Sequence, residues 1–174
     1  SSDVCSSDLE ASRTSAGRSV RQLLELKENE SIVSMLALED FRGSEQAPSG
    51  DLFFATRSGR VKRSALSEYK NINRSGLIAL NLNDGDALIG VVRTEADDHV
   101  LLATEGGMAI RFQATDARSM GRSAAGVKGM DLAKDDAIIG LIRVNPEADL
   151  LSVTENGYGK RTPLHEYLVQ KEDG

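Results

Sequence analysis

The chain has 174 residues, of which 40% are hydrophobic and 28% charged, with a formal net charge of −6. That composition fits a folded soluble protein and excludes wholesale disorder, and no apolar run approaches the roughly 18 to 20 residues that span a bilayer. The single cysteine, Cys5, excludes an internal disulfide framework and a cysteine-based zinc site, and the net charge taken alone argues mildly against a nucleic-acid partner.

In chain order, the lead "SSDVCSSDL" (1–9) is rich in Ser and Asp and has no periodicity, so it reads as a non-native or disordered lead outside the fold. No basic segment followed by an apolar one marks a secretory signal, and a cytoplasmic location is expected. The sequons Asn29-Glu30-Ser31 and Asn73-Arg74-Ser75 would matter only in a secreted chain. The stretch "AGRSVRQLLELKENESIVSML" from Ala16 could be helical on propensity alone. It aligns with two later β-like segments, which favours strands. "EDFRGSEQAPSG" (39–50) is a polar loop bearing Pro and Gly.

Three segments then align without gaps: "LFFATRSGRVKRSALSEY" from Leu52, "VLLATEGGMAIRFQATDA" from Val100 and "LLSVTENGYGKRTPLHEY" from Leu150. Each is an apolar run, a Thr (Thr56, Thr104, Thr154), a Gly (Gly59, Gly107, Gly157) and an Arg (Arg63, Arg111, Arg161). The Gly spacings are 48 and 50 residues. Short β-favouring runs joined by "RSG", "EGG" or "ENG" predict hairpins, because glycine supplies the positive φ of a tight turn. Between them lie "SGLIALNLNDGDALIGVVR" from Ser75 and "AGVKGMDLAKDDAIIGLIR" from Ala125, read as two further strands per unit, such as Gly76–Leu82 and Ala87–Arg93, joined by acidic turns. Four short strands in a unit of about 50 residues predict an all-β, propeller-like array of blades.

Charge is segregated within each unit. Residues 57–74 carry a net +5 and 83–98 a net −4, and the next copy repeats the pattern with +2 over 105–128 and −3 over 131–149. Stacked blades would line the basic hairpins into a positive stripe, with the acidic turns on a different edge. A stripe of Arg and Lys suits a polyanion, neutralising phosphates with little sequence preference.

"ATRSGRVKRSALSEY", "SGLIALNLNDGDALIGVVRT", "RSMGRSAAGVKGMDLAKDDAIIGLIRV" and "TENGYGKRTPLHEY" resemble the C-terminal domain of the gyrase A protein of bacterial DNA gyrase over residues 11 to 170. The corresponding part of topoisomerase IV is the near relative, and "NGYGKRT" favours gyrase. The resemblance implies a β-pinwheel that wraps double-stranded DNA on a basic rim, in a bacterial, nucleoid-associated A2B2 complex of two gyrase A and two gyrase B chains. It implies no cofactor here, with ATP and magnesium used elsewhere in the parent enzyme. A family domain usually has six blades. Residues 10–174 hold about three and read as a partial β-pinwheel truncated at both ends. The family's Gln-Arg-Arg-Gly-Gly-Lys-Gly box is not in the sequence.

Together, the basic hairpins and the resemblance make Arg57, Arg60, Lys62, Arg63, Arg74, Arg111, Arg118, Arg122, Lys128, Lys160 and Arg161 the expected phosphate contacts. The recurrent Arg63, Arg111 and Arg161 have an alternative role in ion pairs with acids of a neighbouring strand. No catalytic or metal site is expected. Tyr158 lacks the acid cluster that a cleaving tyrosine needs, and "NGYGKRT" lacks the first Gly and the final Ser/Thr of a Walker loop. The acidic turns lack the twelve-residue EF-hand pattern. His99 and His165 read as surface residues. A non-catalytic DNA-wrapping module is the leading reading, and a propeller-type protein-interaction module using the acidic turns is the alternative.

Overall fold

The computed structural model of the chain describes residues 13–17, 19, 24, 26–28, 30–38, 49–72 and 76–170. The lead 1–9 and Arg74 lie outside them. Two units separate, 1–32 and 33–174. The described residues of the first hold only turns, with the Lys27 amide donating to Glu30 Oε2 at 2.9 Å and the Glu30 amide to the Lys27 carbonyl at 3.1 Å. The strands expected there are not seen among the described residues.

The second unit is built from antiparallel hairpins. β1 (Asp51–Thr56) pairs with β2 (Arg60–Ala65), β4 (His99–Thr104) with β5 (Ala109–Gln113), and β8 (Asp149–Val153) with β9 (Gly159–Pro163). Each turn places its glycine at φ between +81° and +86° (Gly59, Gly107, Gly157), a conformation that L side chains resist. In all three, the amide of that glycine donates to the preceding Thr carbonyl. Each hairpin ends in a short 3₁₀ turn, Leu66–Tyr69, Ala114–Asp116 and Leu164–Glu166.

β3 (Leu88–Thr94) adds to the free side of β1, and β7 (Ile138–Arg143) adds equivalently to β4. The expected first strand of the interleaved segment, Gly76–Leu82, forms no ladder, although Leu77 and Ala79 pack on the core. Its counterpart one repeat later survives as the two-residue β6 (Val127–Lys128). β6 pairs with β2 of the first hairpin, which gives the sheet order β3-β1-β2-β6. The fourth strand of the first sheet therefore comes from beyond the second hairpin, where the repeat pattern had suggested a self-contained blade.

The sheets stack through two shared cores. Phe53, Ala55 and Val61 meet Val100, Leu102, Phe112 and Ile138 between the first and second sheets. Leu101, Val144 and Leu164 do the same between the second and third, with Leu150 and Tyr167. A separate cluster of Leu52, Phe54, Leu66 and Tyr69 fills the other face of β1–β2. β1 is thus covered on both faces, which is why "LFFAT" is a continuous apolar run.

Candidate nucleic-acid interface

After the second hairpin the chain turns back and lies along the outer edge of β2. The Met120 amide donates to the Arg63 carbonyl at 2.8 Å, Ser64 Oγ donates to the Met120 carbonyl at 2.8 Å, and β6 then pairs Arg60 with Lys128 and Val61 with Val127. Gly126, at φ +85°, is required in this passage, because a Cβ there would collide with the Val61 carbonyl oxygen. Four candidate cations, Arg60, Arg118, Arg122 and Lys128, are thereby carried on one edge of the first sheet. Arg118 and Lys128 are exposed, and Arg60 and Arg122 partly so. Arg60 spends Nε and Nη2 on the carbonyls of Ala125 and Gly126, two of its five N–H donors. Lys128 meets Asp131 in a pair exposed enough to contribute little stability.

Elsewhere, Lys160 and Arg161 sit exposed on β9, where Arg161 reaches Asp149 at 2.9 Å with 77% of its side chain exposed. Arg57 is exposed at the first hairpin turn. Its backbone bridges sheets, the amide donating to the Ala87 carbonyl at 2.7 Å and the carbonyl accepting from Ile138 at 3.0 Å.

Three candidates are committed inward. Arg63 bonds Asp51 at 2.6 Å and donates Nε to the Ala117 carbonyl at 2.7 Å. Arg111 donates Nε to His99 Nδ1 at 3.1 Å and Nη1 to the carbonyls of Leu164 and Tyr167 at 3.1 and 3.4 Å. Each arginine ties its hairpin to a neighbouring 3₁₀ turn or the segment after it, as a structural role predicts, and His99 is a structural acceptor rather than a bare surface residue. Lys62 is the clearest correction. It is 1% exposed, because the face expected to point outward is covered by Phe54, Tyr69 and the 118–122 segment. Its Nζ donates to the Ala79 carbonyl at 2.6 Å and to the Arg122 carbonyl. Burial, then the nearby Arg122, pull its pKa down to about 8, with Glu68 opposing.

The acidic turns also sit differently from expectation. Antiparallel pairing of β3 beside β1 brings the "NDGD" turn next to the first hairpin turn. Asp86 accepts from the Ser58 amide at 2.9 Å and from Ser58 Oγ at 2.6 Å. Asp136 accepts likewise from the Gly106 amide at 2.9 Å. Burial pushes the Asp86 carboxyl up, but its hydrogen bonds together outweigh that and hold it below the ordinary range. The 50-residue spacing of these two aspartates was the signal in the sequence that could have found them. Acids at the far ends of the strands, Glu95, Asp97, Asp98 and Glu147, do lie away from the hairpin tips.

A family model described as DNA gyrase C-terminal domain, beta-propeller, matches residues 7–39, 50–95, 98–145 and 148–173. The chain belongs to this family. It is 52% identical over 165 residues to the DNA gyrase A protein of Clostridium acetobutylicum, covering 95% of this chain and 19% of that protein. It is 44% identical over 158 residues to the gyrase A protein of Salmonella typhimurium, covering 91% and 17%. The chain thus spans about a fifth of the length of these curated relatives. Among solved structures, the C-terminal domain of DNA topoisomerase IV superposes with a TM-score of 0.78 and that of DNA gyrase A with 0.75. Each is 28% identical and matches 88% of this chain, over 47% and 50% of their own lengths. The all-β, β-pinwheel reading of the repeats is the fold of these neighbours.

Proposed function

We propose that this gyrase-family domain is a non-catalytic module that binds and wraps double-stranded DNA for a type IIA topoisomerase. The observation that carries the reading is the β2–β6 edge, where the segment after the second hairpin presents Arg118, Arg122 and Lys128 beside Arg60 of the first hairpin. Lys160, Arg161 and Arg57 extend the basic surface. Phosphates would be neutralised there with little sequence preference, and strand passage would depend on the resulting wrap. In the parent enzyme the partners are a second gyrase A chain and two gyrase B chains, in an A2B2 complex of the bacterial cytoplasm at the nucleoid. ATP and magnesium chemistry belongs to other domains, and no cofactor is assigned to this chain. Family membership supports the reading.

The test is anisotropy of a mixed-sequence duplex with the full chain, from about 50 to 200 mM salt. Wild-type affinity should fall steeply. Reversing the charge at Arg118, Arg122 and Lys128 together should weaken binding at least tenfold and flatten the log–log salt slope by up to about 2.7, at roughly 0.9 per phosphate. An unchanged slope in a folded triple variant would refute the edge assignment.

A further inference from the structure

Lys62 is a buried cation that the DNA-binding edge does not use for contact. Three β2 residues in a row grip the returning segment: Lys62 through the Arg122 carbonyl, Arg63 through Met120 and Ala117, and Ser64 through Met120. One repeat later β5 grips its own returning segment through Arg111, with the Gln170 amide on the Arg111 carbonyl at 2.7 Å. Ile110 stands there in place of Lys62 and Phe112 in place of Ser64. The arginine tether is therefore sufficient to build the crossing, and the lysine is an addition.

That addition is costly, because a buried ammonium loses its hydration. The compensation is local. Nζ lies 5.4 Å from the centre of the Phe54 ring and bonds carbonyls from two separate crossings, Ala79 and Arg122. We infer that Lys62 is a positioning residue, which fixes the 118–122 segment so that Arg118 and Arg122 face phosphate. It has a second effect: its charge lies beneath Arg122 and raises the potential of the edge without touching DNA. This inference rests on the DNA-binding reading above.

The experiment uses the full chain with Lys62→Met, a near-isostere, and Lys62→Ile, the residue that the next repeat already carries. Hydrogen exchange of the 118–124 peptide should accelerate at least tenfold in either variant, while the 99–104 peptide of β4 is unchanged. Affinity for mixed-sequence duplex should fall with it, and the salt slope should flatten by up to about 1.8, two phosphates' worth. Unaltered exchange at 118–124 would overturn the inference, and so would faster exchange with unchanged DNA affinity and slope. Loss of DNA binding by the wild type would instead sink the proposed function, leaving the exchange arm to decide whether Lys62 fixes the segment.

If neither variant folds, the wild type supplies the readout. Groups facing Lys62 are Arg122 and Glu68, and the Tyr69 hydroxyl shares the Ala79 carbonyl with it. Opening the segment returns the amine to water, where its pKa is near 10.5 rather than about 8. The folded-state value is the lower one, so the closed segment gains on the open one as pH rises through about 8. Raising the pH from about 7 to 9 should therefore cut the segment's opening, corrected for intrinsic exchange, by up to about tenfold. The 167–170 crossing, which has no lysine, is the control. A flat profile at 118–124 would overturn the inference.

Discussion

The first and last hairpins share one template, yet the same positions do opposite work. Asp51 and Arg63 pair in the first hairpin with 17% and 16% of their side chains exposed, while Asp149 and Arg161 pair in the last with 33% and 77% exposed. Phe53 is fully buried, and its counterpart Leu151 is 65% exposed. Lys62 is enclosed, and its counterpart Lys160 lies open on β9. The difference teaches that the template fixes the hairpin, and the sheet packed against it fixes each residue's role. The recurrent arginine is structural at Arg63 and Arg111, and at Arg161 it lies open. Where the copies diverge, at Arg60, Met108 and Tyr158 or at Lys62, Ile110 and Lys160, the chemistry of the position differs from hairpin to hairpin, buried at Lys62 and exposed at Lys160.

Large core truncation breaks the comparison most sharply. Phe53→Ala should cost about 3 to 5 kcal/mol, and Leu151→Ala less than about 1, read from urea midpoints at constant m. Equal losses would mean that the last hairpin is covered as fully as the first. Next come the arginines. Arg63→Met strands Asp51 and the Ala117 carbonyl in a half-buried setting and should cost about 2 to 3 kcal/mol. Arg161→Met should stay within about 0.5 kcal/mol, because its pair is solvated. Thermal midpoints of the two variants decide the point. The smallest effect concerns the first hairpin turn, capped by Asp86. Its carboxyl is held below the ordinary value of 3.8, so its contribution is complete above that value and is lost as pH falls through the lower, folded-state one. The stability gap between wild type and Asp86→Asn should be constant above about pH 5 and close below about pH 4. A gap that persists at about pH 2 would assign the turn's stability to something other than the ionised carboxylate.

Much of this architecture was legible in the sequence. Phased glycines marked the turns, short apolar runs marked the central strands, and the recurrent arginine announced its own tether. Two things were hidden. Exchange of β6 depends on pairing between Val61 and Val127, and nothing local to either residue announces a partner so distant. Burial of Lys62 was hidden for the same reason. In "RVKRSA" the lysine alternates with Val61 as an outward residue would, and segments distant in sequence, 76–82 and the returning 118–122, help to enclose it. Gly76–Leu82 misled in the other direction, since its apolar spacing is that of a strand although it packs without a ladder.

The borrowed fourth strand also sets an order of events in time. The first sheet cannot finish until residue 128 exists, 63 residues after β2 ends at residue 65. At roughly 5 to 20 residues per second of synthesis, the outer edge of β2 waits roughly 3 to 13 s with its hydrogen-bonding groups unpaired. During that interval the nascent chain carries an open strand edge, the feature through which unfinished β proteins find wrong partners.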